Sequence, residues 1–431
     1  MSTDPNQSGR RSLLPMPLLI LLAAYLCATL THAWLLPTGQ TGYQDAPDEN
    51  AHVQYIRTLS AGHLPTFRDW QNDAKKQNYE WHQPPLYYLL ALPFYRLGYK
   101  AVRVLSICCG LIVILLTYLF CRKLFPDQEL LAFLGAGLVA LLPGHIMLTS
   151  VVNNDALLEV CFASAFLAMV TSMKEGLTMA RSCWIGLSIG FALITKVTGV
   201  LLLPLFLLFL WLMYLSGQSP RKLASSAVVG IFISILVSGW WYIRNVVIYG
   251  TLFPLKEFSQ TFAGTAQAPV IAQHLGGWGS YWLHSLLWSF MSFWAVFGTP
   301  KLAAQGIPAY LPGTFYLIAA LISVLMLAGL VKVHTQRRKL APYQVHCVWL
   351  LMAAVGLVGI SFLFFLSHYF QVQGRYMYPV ILPLGVLMSL GWWGIIPERY
   401  LKVASYLLLV LMGTLSIILL SAIQSANTPT F

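Results

Sequence analysis

Apolar residues along this chain come in runs of about twenty, separated by short polar turns. That pattern predicts helices long enough to cross a bilayer. The runs place spans over residues 13–36, 101–121, 129–150, 154–173, 180–198, 199–215, 223–247, 312–332, 344–367, 376–395 and 402–423, about eleven in all. The pair 180–198 and 199–215 has almost no turn between its members. Two long polar stretches interrupt the pattern, 37–99 and 249–311. Within the first, a helix is expected from Asp48 to Ala61, then an irregular charged piece from Arg68 to Glu80. The apolar run after Pro85 is short and broken by Pro93 and Arg96, which suits a helix lying in the membrane interface. The second stretch holds Trp288-Ser289-Phe290-Met291-Ser292-Phe293-Trp294, expected as another interfacial or re-entrant helix. The fold class is therefore all-α and polytopic, with a polar cytoplasmic tail over 1–12 and one transmembrane domain over 13–431.

Composition agrees. The chain is 58% hydrophobic and 9% charged, whereas a soluble domain is roughly a quarter charged. The formal charge of +12 would suit a nucleic-acid partner, but its distribution excludes one. With the N-terminus inside, basic residues 10, 11, 122, 123, 174, 181, 221, 222, 332, 337, 338, 339, 399 and 402 fall on the cytoplasmic side, 14 of 26. Every cytoplasmic turn has at least two, as the positive-inside rule requires. Both long polar stretches then face outward, across a plasma (inner) membrane if the source is bacterial. The seven cysteines lie in or beside apolar runs without a CxxC, so neither a disulfide framework nor a zinc site is expected. The absence of HExxH excludes an intramembrane zinc protease of that type.

Candidate chemistry sits where the first span meets the outer surface: Tyr43-Gln44-Asp45-Ala46-Pro47-Asp48-Glu49-Asn50-Ala51-His52. Asp and Glu total only 14 in the chain, so three carboxylates here stand out. Pro47 suits the first turn of a helix, Asp45 its cap, and Asp48 and Glu49 its positive end. Asp48 and His52, four apart, share a face. Three cations, Lys196, Arg244 and Arg375, fall at the outer ends of spans, as does Asp155, with Glu159 one turn deeper. Charges at such depth usually line a cavity; the alternative is snorkelling to the headgroups, with Asp155 as a helix cap.

An outer stretch after the first span that opens with an Asp-Glu pair before a helix resembles the GT-C class of membrane glycosyltransferases. That class includes the protein O-mannosyltransferases, the lipid A aminoarabinose transferases and uncharacterised bacterial relatives. Further pieces follow in family order: His82-Gln83-Pro84-Pro85-Leu86-Tyr87-Tyr88, Asn154-Asp155-Ala156-Leu157, Thr195-Lys196-Val197-Thr198-Gly199, Trp241-Tyr242-Ile243-Arg244-Asn245 and Gly374-Arg375-Tyr376. The histidine stands further from the acidic pair than in the mannosyltransferases, so the sugar and the acceptor stay open. No carbohydrate-binding module is expected after the last spans.

The resemblance implies transfer of a sugar from a polyprenyl-phosphate donor to an acceptor hydroxyl on a glycan, lipid or protein, with inversion. Asp48 and Glu49 would be catalytic, Asp48 as general base. Asp45, His52, His82, Asp155, Lys196, Arg244 and Arg375 would bind substrate, the cations stabilising the leaving phosphate. No cofactor is required in this reading; were a divalent metal used, Asp48, Glu49 and Asp155 would be its hard-oxygen ligands. A lipid or solute transporter is the alternative from another class, and it predicts broken helices at the midplane of paired halves.

Overall fold

The computed structural model describes residues 15–36, 48–295, 313–335 and 340–427. Asp45 and Pro47 lie outside these, as do residues 336–339. Among the described residues there is no strand, only one isolated bridge between Gln267 and Tyr369. The order is α1 (Met16–Leu35), α2 (Glu49–Ser60), α3 (Phe67–Asn72), α4 (Leu86–Tyr95), α5 (Tyr99–Leu124), α6 (Glu129–Ala140), α7 (Pro143–Thr149), α8 (Asp155–Glu175) and α9 (Met179–Leu193). Then come α10 (Leu202–Leu215), α11 (Pro220–Tyr249), α12 (Leu255–Thr261), α13 (Ala268–His274), α14 (Trp278–Ala295), α15 (Gly313–Thr335), α16 (Pro342–Leu366), α17 (Ile381–Ile395) and α18 (Glu398–Asn427). Short 3₁₀ turns at Tyr79–His82, Val197–Leu201 and Gly374–Val380 lead into α4, α10 and α17.

Among the described residues nine helices are long and apolar enough to cross a membrane, with α10 and α17 each taken together with the 3₁₀ turn that leads into it, and a tenth span results if the bent pair α6–α7 is counted as one. The expected span 129–150 is that pair. Pro143 opens α7 and keeps Leu142 extended (φ −69°, ψ 114°), as proline does to the residue before it, and the two helices meet at 61°. The expected span 180–198 is only the 15-residue α9, too short to cross unaided. Counting it as well reaches the expected eleven. α4 has 10 residues and an internal proline, consistent with an interfacial helix.

Helices α5, α6, α8 and α17 form the buried centre. Packing between spans relies on small residues, as it does where lipid supplies no hydrophobic drive. α15 and α17 meet backbone to backbone: a Cβ on Gly329 would lie 1.8 Å from the Gly391 carbonyl oxygen, and one on Gly391 2.0 Å from that of Met326. A second apolar layer lies outside the bundle. There Val53, Tyr55 and Ile56 of α2 pack on Tyr87, Tyr88 and Ala91 of α4.

Candidate active site

Four segments far apart in sequence bring charged groups to one place: the start of α2, the start of α8, and the 3₁₀ turns before α10 and α17. Asp48 occupies the N-cap position of α2 with a left-handed backbone (φ 65°). The helix therefore begins at Glu49, and Asp48 is not in its first turn as expected. One Asp48 oxygen accepts from the Arg375 guanidinium, the other from the Tyr79 hydroxyl at 2.9 Å. Lys196 Nζ donates to Asp155 Oδ1 at 2.5 Å, and Arg375 Nη1 lies 3.9 Å from Asp155 Oδ2. Arg375 Nε donates to Gln373 Oε1 at 2.6 Å.

Local sequence explains each placement. Asp155 starts α8, and its own N–H is held by Asn153 Oδ1 at 2.8 Å. Lys196 precedes a 3₁₀ turn whose approach is fixed by Asn154 Nδ2 donating to the Thr195 carbonyl at 3.2 Å. Before Arg375 only glycine fits, because a Cβ on Gly374 would lie 2.3 Å from the Phe293 nitrogen on α14.

These groups line a cavity of about 390 Å³. Of the candidates from sequence, Asp48, His52, His82, Asp155, Lys196 and Arg375 all line it. Its other wall is apolar, with Leu201, Val358, Phe362 and Phe365. Three of these come from α16, which also adds the exposed Phe364 to the lining and carries the exposed Ile360.

Burial pushes the Asp48 carboxyl up, but Arg375, His52 and Tyr79 outweigh it and hold its pKa at about 2. His82 is pushed down to about 4, mainly by burial. Burial also lowers His52, against the opposing pull of Glu80 and Asp48. Both imidazoles are neutral at pH 7. Glu80 is displaced upward, by burial first.

Two candidates are placed elsewhere. Glu49 does not line the cavity. Its oxygens accept from Arg103 Nε at 2.7 Å and Nη2 at 2.6 Å, and Oε1 also takes the Val152 N–H at 2.9 Å. Arg103 reaches back to the carbonyls of Ala33 and Leu36 at 2.6 and 3.0 Å. This buried pair ties the end of α1, the start of α2, and the turn before α8 to α5. Arg244 is also outside the cluster. It caps the Pro65 carbonyl at 2.9 Å and stacks over Trp241 at 4.6 Å, fastening the first outer stretch to α11. Lys196 and Arg375 thus converge, and Arg244 does not join them.

The sequence reading also missed groups. Tyr79 and Glu80 lie in the piece taken as irregular. Glu80 is only 7% exposed yet lines the cavity. Beneath Asp155, the fully buried His145 and Glu159 pair at 2.9 Å and pin α7 to α8. Glu159 was visible one turn below Asp155, but nothing in the sequence pointed to His145.

As to metal, among the described residues no group of three His, Cys, Asp or Glu is placed to hold an ion. Of the three candidate ligands, Glu49 is committed to Arg103, while Asp48 and Asp155 each face a cation.

Residues 82–243 match the family model described as dolichyl-phosphate-mannose-protein mannosyltransferase. No curated protein matches the sequence. The fold is similar to the crystal structure of the Archaeoglobus fulgidus oligosaccharyltransferase in complex with Zn and sulfate: TM-score 0.57, 16% identity, over 95% of this chain and 53% of that one. It is similar also to ArnT from Cupriavidus metallidurans bound to undecaprenyl phosphate: TM-score 0.52, 15% identity, over 95% of this chain and 74% of that one. A third likeness is to archaeal AglB from Archaeoglobus fulgidus with an inhibitory peptide and a dolichol-phosphate: TM-score 0.50, 16% identity, over 95% and 58%. The chain spans about half the length of the first of these. It has the GT-C fold of membrane glycosyltransferases.

Proposed function

We propose that the chain is a membrane glycosyltransferase that moves a sugar from a polyprenyl-phosphate donor to an acceptor hydroxyl at the extracytoplasmic face. The observation that carries this reading is the cavity itself. Asp48 and Asp155 stand there with the buried Arg375 and the partly buried Lys196, and much of the remaining lining is apolar and comes from α16, a helix that also carries exposed apolar side chains. A prenyl tail fits the apolar wall, which brings its phosphate to Lys196 and Arg375.

The acceptor oxygen attacks the anomeric carbon while Asp48 takes its proton. The bond from that carbon to the phosphate oxygen breaks, the electron pair leaves with the phosphate, and a single displacement inverts the centre. Lys196 and Arg375 stabilise the charge that builds there. With a pKa of about 2, Asp48 is a weak base while Arg375 sits on it. A phosphate that draws the guanidinium away removes that restraint, so donor binding itself makes Asp48 basic. No metal takes part in this scheme. The substrate identities remain those of the class: a lipid-linked sugar and a glycan, lipid or protein acceptor.

Mass spectrometry of lipids that co-purify with the protein tests the reading directly. Polyprenyl phosphate or its glycoside should be enriched over bulk phospholipid. Absence of both, together with no transfer in vesicles supplied with polyprenyl-phosphate sugars, would sink it.

Sidedness follows from the distribution of basic residues. Cysteines introduced at positions 45 and 265 of a cysteine-free variant should react with an impermeant thiol reagent in intact cells or spheroplasts. Labelling only after lysis would reverse the orientation.

The two arginines should also separate. A guanidinium binds two phosphate oxygens at once and an ammonium does not. Arg375→Lys should therefore lower kcat and raise the donor KM, and Arg375→Ala should cost on the order of 10²–10³-fold in kcat. Arg244→Ala should mainly loosen the outer stretch, seen as earlier proteolysis near residue 65, with kcat within a few fold. Equal kinetic losses at both positions would restore Arg244 to the phosphate site.

A further inference from the structure

We propose that Glu80 and Gln83 form a sugar-reading subsite in the cavity, accepting hydrogen bonds from two hydroxyl groups of the sugar carried by the donor. The inference rests on the glycosyltransferase reading above and names the groups that choose among its sugars.

Glu80 Oε2 and Gln83 Oε1 are both buried, and neither has a hydrogen-bond partner. Both residues line the cavity, and each is more than nine-tenths buried. An orphaned buried acceptor is costly unless a ligand satisfies it.

The orientation of the Gln83 amide follows from its neighbour. His82 Nδ1 lies 3.1 Å from the Tyr79 carbonyl, which can only accept, so Nδ1 carries the proton. A neutral ring then leaves Nε2 as an acceptor. The Gln83 group 3.2 Å away must therefore present its N–H, and its carbonyl oxygen is left free. The polar atoms orphaned in the cavity wall are Glu80 Oε2, Gln83 Oε1, Asp155 Oδ2 and Thr198 Oγ1. All are oxygens, and only the threonine can donate.

The missing partner is thus a molecule that brings hydrogen-bond donors in pairs. A phosphate brings mainly acceptors and cannot satisfy the Gln83 carbonyl oxygen. A prenyl chain brings none. A sugar ring with neighbouring free hydroxyls fits. The apolar face of such a ring also has a surface to meet. Phe258 and Phe262, 4.6 Å apart between centroids, stand on the cavity wall, and Phe258 closes edge-on to His82 at 4.9 Å. The donor sugar is assigned here, and not the acceptor, because Glu80 is deep in the wall. The acceptor must come and go past Asp48, whose side chain is a third exposed.

A subsite that hydrogen-bonds a hydroxyl discriminates strongly against a sugar that lacks or blocks it. The subsite therefore selects sugars free at the two contacted positions, and rejects those esterified or deoxygenated there.

The test compares binding of a bare polyprenyl phosphate with that of polyprenyl phosphates carrying mannose, glucose, galactose or N-acetylglucosamine. Wild type and the near-isosteric Glu80→Met and Gln83→Met variants, which lack the oxygen acceptors, are measured in nanodiscs, with thermal unfolding recorded for each. Wild type should favour at least one glycosylated lipid over the bare one. Each variant should lose roughly tenfold or more of that preference, the size expected for a hydrogen bond to a charged or buried acceptor, while holding bare polyprenyl phosphate as before. If Glu80→Met does not fold, Gln83→Met decides the matter by the same measure. Retained preference would overturn the proposal. So would equal loss on bare and glycosylated lipid, which marks a role at the phosphate, or a shift confined to the acceptor KM. A wild-type protein that binds none of these lipids would instead defeat the glycosyltransferase reading itself.

Discussion

Replacing Asp48 with asparagine should reduce sugar transfer by about 10²–10⁴-fold, the usual worth of a general base, while donor still binds. The substitution is well suited to the question. Asp48 has a left-handed backbone, a region that asparagine tolerates and β-branched or bulky residues do not. The amide also keeps an acceptor for the Tyr79 hydroxyl. What it loses is the ability to take a proton and the charge that restrains Arg375. Single-turnover measurement with saturating donor isolates the chemical step. A stable complex with intact lipid-linked sugar should accumulate. Near-normal turnover in Asp48→Asn would move the base to another carboxylate of the cavity, Glu80 or Asp155.

The second large effect is expected at Glu49 and Arg103, on stability. Breaking a buried ion pair leaves one charge without compensation, and the cost is about 3–5 kcal/mol. Arg103→Ala should approach that, because the carbonyls of Ala33 and Leu36 lose their donor as well. Glu49→Gln should cost less, since the amide keeps an acceptor for Val152 N–H. Thermal unfolding in detergent, with a double-mutant cycle between the two positions, measures the coupling. The Glu49 variant also decides between roles. If Glu49→Gln unfolds at the normal temperature and yet transfers no sugar, Glu49 belongs to the chemistry. Lower stability with near-normal turnover in the surviving fold makes it the anchor of Asp48.

Most spans were legible because long apolar runs have few other structural outcomes. The broken span over 129–150 was not: the run stays apolar across Leu141-Leu142-Pro143, and the bend depends on one proline. Depth along a span, where cost in the membrane is the signal, pointed to Lys196, Asp155 and Arg375, which the fold gathers at the cavity. The same signal misled at Arg244, whose guanidinium is satisfied by a backbone carbonyl and an indole ring. Arg103 went unnoticed because it stands in the first turn of its span, where cations are ordinary. The acidic pair read as one unit from its adjacency. In space the two side chains part, because Glu49 is the first residue of the helix and Asp48 lies outside it. Glu80 was hidden in a piece without periodicity, and its burial comes wholly from tertiary packing.

The bare backbone contact between α15 and α17 has a consequence for the cavity. The 3₁₀ turn that carries Arg375 runs straight into α17, and Gly391 lies roughly four helical turns further along. α17 is therefore a lever. Its fulcrum is the point where it rests on Gly329 and Met326, and the guanidinium rides at its far end. A methyl group wedged at the fulcrum would tilt the shaft and displace the tip without touching any residue of the cavity. The height at which a phosphate would be met is thus set by how closely two glycines let their helices approach.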